Sequence, residues 1–375
     1  MTVPTGSPAE ALQPALPKTM YVDTEHFALE RERVLLDSWL AVGRVAALGL
    51  DEPFRLAVVD VLGESVLLTT DAHGVLHGAY NVCRHRGAQV VPVRDGTPPP
   101  PCAARSLRCP YHSWTYGMDG QLLKAPHTEN VVGFDPNAFA LTPVAVDTWG
   151  GFCFVHPSPQ GAPALADEVG PIAQRLVRYP LERLVVGRRL VYDVAANWKV
   201  VAENYNECYH CGPVHPELSR LVPAFAGGGA DLDWDNGVPH REGAWTFTTT
   251  GTTNRRPFPD LDAAERSRHK GELLYPNLLL SCSADHVAAF LLEPVAVDRT
   301  RIVCELLFEP EEAARDDFDP DDAGALWDLV NRQDWDVCAS VQRGMSSRAY
   351  AQGWFAPMED FSLDIRRWLL PRLQR

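Results

Sequence analysis

The chain has no run of about 18–20 apolar residues, the length a membrane-spanning helix needs. It has no basic stretch followed by an apolar one at its start. Met1 to Lys18 is rich in Pro and Ala and reads as a loose arm, so a cytoplasmic location is expected. Positive charge is scarce: 34 Lys and Arg stand against 49 Asp and Glu, a net charge of −15. That balance argues against nucleic acid or an anionic membrane as partner. It fits attraction of a cationic small molecule, although solubility alone is the simpler account. There is no internal repeat, no Gly-rich dinucleotide fingerprint and no plant-type cysteine cluster, so neither NAD nor flavin is expected on this chain. The nine cysteines are an odd number, which in a cytosolic chain argues against a disulfide framework. Metal ligation is the better account of any that are patterned.

What is present is a chain of 375 residues, enough for two domains, with an ordinary hydrophobic fraction of 46%. Thr24 to Leu40 reads as a helix with Thr24 as its N-cap. From about Pro53 to His156 short β-like runs alternate with turn signals, as in Arg55–Leu62, Ser65–Thr70 and Gly151–His156. Beyond Pro157 the pattern is mixed. Helices are expected over Ala164–Tyr179, Trp198–Cys211 and Ala323–Gly344. Strands are expected over Leu190–Val194, Trp245–Thr250, Leu278–Ser281, Val287–Leu292 and Arg301–Phe308. Gly227–Gly243 and Arg94–Ala104, the latter holding Pro98 to Pro101, read as loops.

Two constellations carry chemistry. The first is Cys83-Arg-His85, then 23 residues, then Cys109-Pro-Tyr-His112. Each short motif supplies one thiolate and one imidazole. Two cysteines on one iron and two histidines on the other is the ligand set of a Rieske two-iron, two-sulfur cluster. Structural zinc is the competing reading, but its usual patterns pair Cys with Cys and His with His.

The second is Glu203, Glu207, His210 and His215. The first three are spaced for one face of a helix, and Gly212-Pro213 is expected to break that helix and fold His215 back beside His210. Two histidines need a carboxylate to complete an iron-binding facial triad. Asp334 lies within the apolar stripe Leu326, Val330, Val337 and Val341, where a lone carboxylate is costly unless paired or bound to metal. Asp336 points about 200° away round the helix. An ordinary salt bridge is the bland alternative for Asp334.

Together with the leader Asn197-Trp-Lys, Trp149-Gly-Gly-Phe and Gln342-Arg-Gly, these motifs resemble the catalytic alpha subunits of Rieske non-haem iron oxygenases, over roughly residues 20–370. The resemblance implies an α+β fold: an all-β Rieske domain before a helix-grip, START-like catalytic domain. The expected division is a disordered arm over 1–19, a helical segment over 20–45 packing on the catalytic domain, the Rieske domain over 46–160 and the catalytic domain over 161–375. It implies Cys83, His85, Cys109 and His112 as ligands of one Rieske cluster. It also implies His210, His215 and Asp334 as ligands of one mononuclear Fe(II), with Asn204 standing behind them. Glu207 would bridge electron transfer to His112 of a neighbouring subunit. The Glu-Asn-Tyr-x-Glu-Cys-Tyr-His-Cys context looks like the branch acting on quaternary ammonium compounds such as choline, glycine betaine and carnitine.

That branch implies O2-dependent hydroxylation and N-demethylation of a small substrate, electrons from a separate flavin or ferredoxin-type NAD(P)H reductase, and a homotrimer. Hydroxylation or O-demethylation of an aromatic acid is the second reading, and a Rieske electron carrier without oxygenase activity the third. An aromatic cage would suit a quaternary ammonium group, with Tyr205, Trp245, Phe247 and Tyr275 as candidates. The Rieske motifs stand further apart than is usual, the extra length falling in the Pro98–Pro101 loop. Cys102 is expected as an unligated surface thiol, and Cys208 and Cys211 as packing residues.

Overall fold

The computed structural model describes residues 11–229 and 232–374. It divides into two units. One runs Leu35–Asp167; the other joins the chain before Leu35 to the part from Glu168 onward. The boundaries thus fall near 35 and 167 rather than at 46 and 161. The reason is Leu40–Arg44: sequence reading made it helix, but it is an edge strand paired with Phe152–His156.

In the first unit an antiparallel sheet runs in the order Leu40–Arg44, Phe152–His156, Pro143–Trp149, Leu76–Tyr80, Glu64–Thr70, Arg55–Val61, Cys102–Ala103. The two-residue period of a strand splits its apolar residues between two cores. Leu56, Val58 and Leu67 join the core that also holds Cys83, Cys109, Trp114 and Tyr116. Ala57, Val59, Val66 and Leu68 face the other. Leu107–Arg108, Thr115–Tyr116 and Leu122–Lys124 form a small second sheet. Cys102, in the proline-rich loop, is exposed and forms no disulfide.

In the second unit the sheet order is Val185–Val194, Arg299–Phe308, His286–Ala296, Leu278–Cys282, Arg268–Leu274, Val238–Pro239, all antiparallel. The helix Asp321–Ser346 lies on one face, where Tyr192, Phe290 and His286 meet its Asp328 and Trp327. No helix of the described residues is long and apolar enough to cross a membrane. The expected strand Trp245–Thr250 is a run of turns. Its threonines spend their hydroxyls locally: Thr248 Oγ donates to the Thr252 carbonyl at 2.8 Å and accepts from Gly251 N at 3.1 Å. Such bonds compete with a ladder.

The N-terminal segment belongs to the second unit. The expected arm is ordered where described: Gln13–Pro17 pairs with Gln352–Phe355, and Gln352 also donates its side-chain amide to the Ala15 carbonyl. Met1 to Glu10 lie outside the described residues. The expected helix from Thr24 is capped by Asp23 instead, which accepts from His26 N at 2.9 Å. It runs Thr24–Glu30 and closes in a wider turn over Arg31–Leu35. Its Glu30 is wholly buried and meets Lys199 Nζ at 3.0 and 2.7 Å. Next to it the Tyr21 hydroxyl donates to Glu203 at 2.5 Å. The Asn197-Trp-Lys leader now has a physical account. Asn197 caps the helix Trp198–Tyr205 and ties it to Gln342 and to the Val297 carbonyl, Trp198 fills the core, and Lys199 neutralises Glu30.

Lys199→Met leaves Glu30 as an unpaired charge away from water and should cost about 3–5 kcal/mol in urea unfolding. Removing both charges, as Lys199→Met with Glu30→Leu, should recover most of it. Glu203 supplies a second test. Burial raises its carboxyl to about 8, against the lowering effect of Tyr21 and Lys199. A group whose affinity for protons rises on folding stabilises fully below its unfolded value, and that contribution is lost as pH climbs through the folded value. Glu203→Gln should therefore melt level with the wild type near pH 5 and above it at about pH 8.5.

Candidate metal centres

The first constellation is two matching turns. Cys83 N donates to the Ala88 carbonyl and its own carbonyl accepts from Gly87 N, at 2.8 and 3.0 Å. Cys109 repeats this with Trp114 and Ser113, at 2.8 and 3.0 Å. Both turns need a left-handed residue at the same place, Gly87 at φ +76° and Ser113 at φ +62°. Asn81 zips the first turn shut with two bonds to Val91. The outcome is directional. Cys83 and Cys109 are buried, whereas His85 and His112 are exposed at the loop tips with ring centroids 4.6 Å apart. Trp114 stacks flat on His85 at 5.0 Å. The Tyr116 hydroxyl lies 3.2 Å from Cys83 Sγ and accepts from Arg84 N at 3.1 Å. Burial, and then the nearby Cys83, raises the Cys109 thiol above its ordinary value.

The second constellation converges as well, by a route that differs from the expected one. The helix stops at Tyr205, so Glu203, Glu207 and His210 do not share a helical face. Glu207 folds back instead, accepting from Tyr209 N, from His210 N at 3.2 Å and from His210 Nδ1 at 2.5 Å. Cys208 and Cys211, expected as packing residues, are buried but joined to each other by a disulfide that closes the same turn. Their Cα atoms, 4.9 Å apart, lie within bridging range. The expected break at Gly212-Pro213 is a helical turn, Cys211–Val214. The break comes at His215, whose backbone leaves the helical region ahead of Pro216. A residue before proline is pushed that way.

The three expected donors meet at one point. Asp334 Oδ1 lies 3.2 Å from His210 Nε2 and 2.9 Å from His215 Nε2. The nearest nitrogens and oxygen of the trio all fall within 4.8 Å of one another. Bonds of about 2.0–2.2 Å set neighbouring donors about 3 Å apart round a first-row metal ion, so this donor set fits one. Each imidazole is oriented from behind: His210 Nδ1 by Glu207, and His215 Nδ1 by Gln333 Oε1 at 2.8 Å, with Gln333 held in turn by Glu217 at 3.2 Å. Asn204 Nδ2 lies 3.3 Å from His210 Nε2. Glu203 is remote from the trio's chemistry and serves Tyr21. The roles of Gln333 and Glu217 escaped sequence reading; the only signal was their polarity beside ligands. By the protein's own charges alone, burial lowers His210, but Asp334 and Glu207 outweigh it and raise it to about 10. Burial likewise opposes Asp334, whose carboxyl the two histidines hold below its ordinary value.

Close to the helix that carries Asp334 lies a cluster of aromatic rings. Tyr205, five residues before His210, meets Phe290 at 6.3 Å, and Phe290 meets Trp327 at 5.9 Å. Trp327 lies seven residues before Asp334 on the same helix face, about 10 Å along its axis. Of the four cage candidates, Tyr205 and Phe247 line this region. Tyr275 stacks on Trp368 instead, and Trp245 sits half-buried in the turn run. Phe290 and Trp327 escaped notice because periodicity marks them only as core. Trp327 is fixed by a charged anchor: its Nε1 donates to His286 Nε2 at 2.9 Å, His286 Nδ1 meets Asp285 at 3.0 Å, and Arg255 pairs with Asp285 at 2.8 Å.

Residues 181–374 match the ring hydroxylating alpha subunit catalytic domain, and residues 38–136 match the Rieske 2Fe–2S domain. The chain is 28% identical to the glycine betaine monooxygenase oxygenase subunit of Pseudomonas aeruginosa, covering 96% of this chain and 89% of that one. It is 29% identical to the carnitine monooxygenase oxygenase subunit of Escherichia coli K12, covering 89% and 85%. Its fold is similar to a solved quaternary ammonium Rieske monooxygenase, with TM-score 0.76, 24% identity and coverage of 97% and 96%. The chain, with two matching turns of Cys and His in a β domain and a His-His-Asp convergence anchored on the helix Asp321–Ser346, thus belongs to the ring-hydroxylating, Rieske-type oxygenase alpha subunits, which carry a 2Fe–2S cluster and a mononuclear iron.

Proposed function

We propose that this chain is the oxygenase component of a system that hydroxylates, and thereby N-demethylates, a small quaternary ammonium compound. The observation that carries the reading is a chain of rings from Tyr205, five residues before His210, through Phe290 to Trp327, on the helix that bears Asp334. Aromatic faces attract a methylated ammonium, and do so more strongly where water is excluded. The curated relatives support it, since those named above act on glycine betaine and carnitine.

Cys83, Cys109, His85 and His112 would hold the cluster, the thiolates inside and the imidazoles at the tips. His210, His215 and Asp334 would hold the iron. When bound, the cluster passes single electrons and the iron activates dioxygen for insertion into a C–H bond. The chain's own part is positioning. Glu207 and Gln333 fix both imidazoles with Nε2 toward Asp334, as carboxylate and amide partners of ligands do. The turn closed by the Cys208–Cys211 disulfide presents Glu207 beside His210, where it would relay electrons from His112 of a neighbouring subunit. The rings of Tyr205, Phe290 and Trp327 would hold the methyl groups toward the trio and exclude water. Hydroxylation of an N-methyl group gives a carbinolamine, which collapses to formaldehyde and the demethylated amine. A separate reductase supplies the electrons, the assembly is a homotrimer, and the reaction takes place in the cytoplasm.

Reconstituted protein should contain three iron and two acid-labile sulfide per chain. Asp334→Ala should keep the cluster's visible spectrum and its two iron while losing the third, and should abolish turnover. A wild type without labile sulfide would sink the proposal. Glu207→Gln should retain all the iron, yet the reduced cluster should reoxidise at least about tenfold more slowly in single turnover with substrate and oxygen, since an orienting partner of a ligand is worth roughly 10–100-fold. Formaldehyde release with a surrogate reductase, followed across glycine betaine, carnitine and choline, tests the substrate class.

A further inference from the structure

Packed against these rings is a polar group that nothing above employs. His269 lies on the strand Arg268–Leu274 and is 4% exposed, and its Nδ1 is buried with no hydrogen-bond partner. Such groups are uncommon in folded proteins, because leaving a buried polar atom unpaired costs what pairing would have returned. Its ring is held on an apolar face: Phe247 stacks on it at 3.9 Å with planes 5° apart, and Trp327 stands at 6.2 Å. His240 stands edge-on to the same Phe247 at 5.2 Å. The His240 Nδ1–H donates to the Ser267 carbonyl at 2.9 Å, leaving its buried Nε2 also without a partner. By contrast His286, the third imidazole of the region, has both nitrogens engaged. Of the three imidazoles of the region, His269 and His240 therefore hold the unmet nitrogens.

The same strand also approaches Tyr205. Gly271 lies two residues on, so it shares the face of His269, and a Cβ on it would stand only 3.5 Å from the Tyr205 hydroxyl and 3.6 Å from the Trp234 ring. Burial, then the charges of His240 and His286, lowers the His269 imidazole well below its ordinary value, so it stays neutral with one N–H donor and one acceptor nitrogen. A neutral imidazole does not repel a cation as a lysine or arginine would, and it can still hydrogen-bond an oxygen.

We propose that His269 is a specificity-determining contact for the oxygen-bearing end of the substrate, donating one N–H to a carboxylate or hydroxyl oxygen while the Tyr205, Phe290 and Trp327 rings take the methylated ammonium. This rests on the quaternary ammonium reading above and adds which member of that class is preferred: one carrying an oxygen acceptor, over a bare tetraalkylammonium.

The experiment is calorimetric binding to the iron-loaded enzyme of four probes: glycine betaine, carnitine, choline and tetramethylammonium. His269→Phe keeps a ring without donors, and His269→Gln restores an N–H. His269→Phe should weaken the best oxygen-bearing probe by roughly tenfold, the worth of one hydrogen bond, while tetramethylammonium shifts by less than about threefold. His269→Gln should recover most of the loss. Loss for glycine betaine and carnitine with choline spared assigns a carboxylate; loss for choline and carnitine with glycine betaine spared assigns a hydroxyl. Equal losses across all four probes, or none, overturn the inference and mark His269 as a packing residue. Should His269→Phe lose its iron or its far-ultraviolet spectrum, His269→Leu against His269→Gln reads the same difference. If the wild type binds none of the four, the substrate class itself fails and this inference with it. If the wild type binds them and the variants do not discriminate, this inference falls alone.

Discussion

Asp334 Oδ1, set between two imidazole nitrogens at 2.9 and 3.2 Å, is the contact on which the rest of the catalytic unit is organised. Three distant stretches must arrive together for it to exist: the turn after Tyr205, the proline-terminated turn at His215, and the middle of the helix Asp321–Ser346. A buried carboxylate is tolerated only where cations or donors meet it. The fold therefore invests its polar interior in locating that helix. Gln342 links it to Asn197 and to the Tyr21 carbonyl, and Trp327 links it to His286. Tyr192 and Asp328 add a further tie at 2.8 Å. Small angular errors in so long a helix would separate the donors by more than a metal ion can bridge.

The same economy explains the division of labour between the two centres. In the β domain the two cysteines are inside and the two histidines outside, so the exposed tips of the turns carry imidazole and the aromatic Tyr111, over whose ring Arg86 lies. In the catalytic unit the order is reversed. Charge sits at the trio and at the Arg255–Asp285 anchor, with apolar rings between them.

Legibility in the sequence varied with the range of the interaction. The pairing of Cys with His was readable because short spacings, Cys83 to His85 and Cys109 to His112, are fixed by the reach of one turn. Strands such as Arg55–Val61 and Arg299–Phe308 were readable because one alternation covers their whole length. Leu40–Arg44 was not, since what makes it a strand is a partner more than a hundred residues later. Trp245–Thr250 misled because its β-branched composition is overruled by hydroxyl bonds to its own backbone. The helix stripe around Asp334 was only half right. Leu326 and Val330 are buried, but Val341 is 38% exposed, and Cys338, Gln342 and Met345 complete the inner face instead. Burial along that helix follows what covers it, which a periodic pattern does not contain.

By itself the sequence determined the chemistry: which thiols, imidazoles and carboxylate are available, that they come as two separate sets, and that proline and glycine bend the chain near them. These are properties of residue type and local spacing, and they survive without knowledge of the fold. Tertiary structure alone decided the rest. It bent Glu207 back onto His210 and joined Cys208 to Cys211. It brought Gln333 behind His215, and it set Phe290 and His269 against Trp327. Each of those depends on two segments meeting in space, and nothing in the spacing of residues along a chain encodes the distance between strands that only packing brings together.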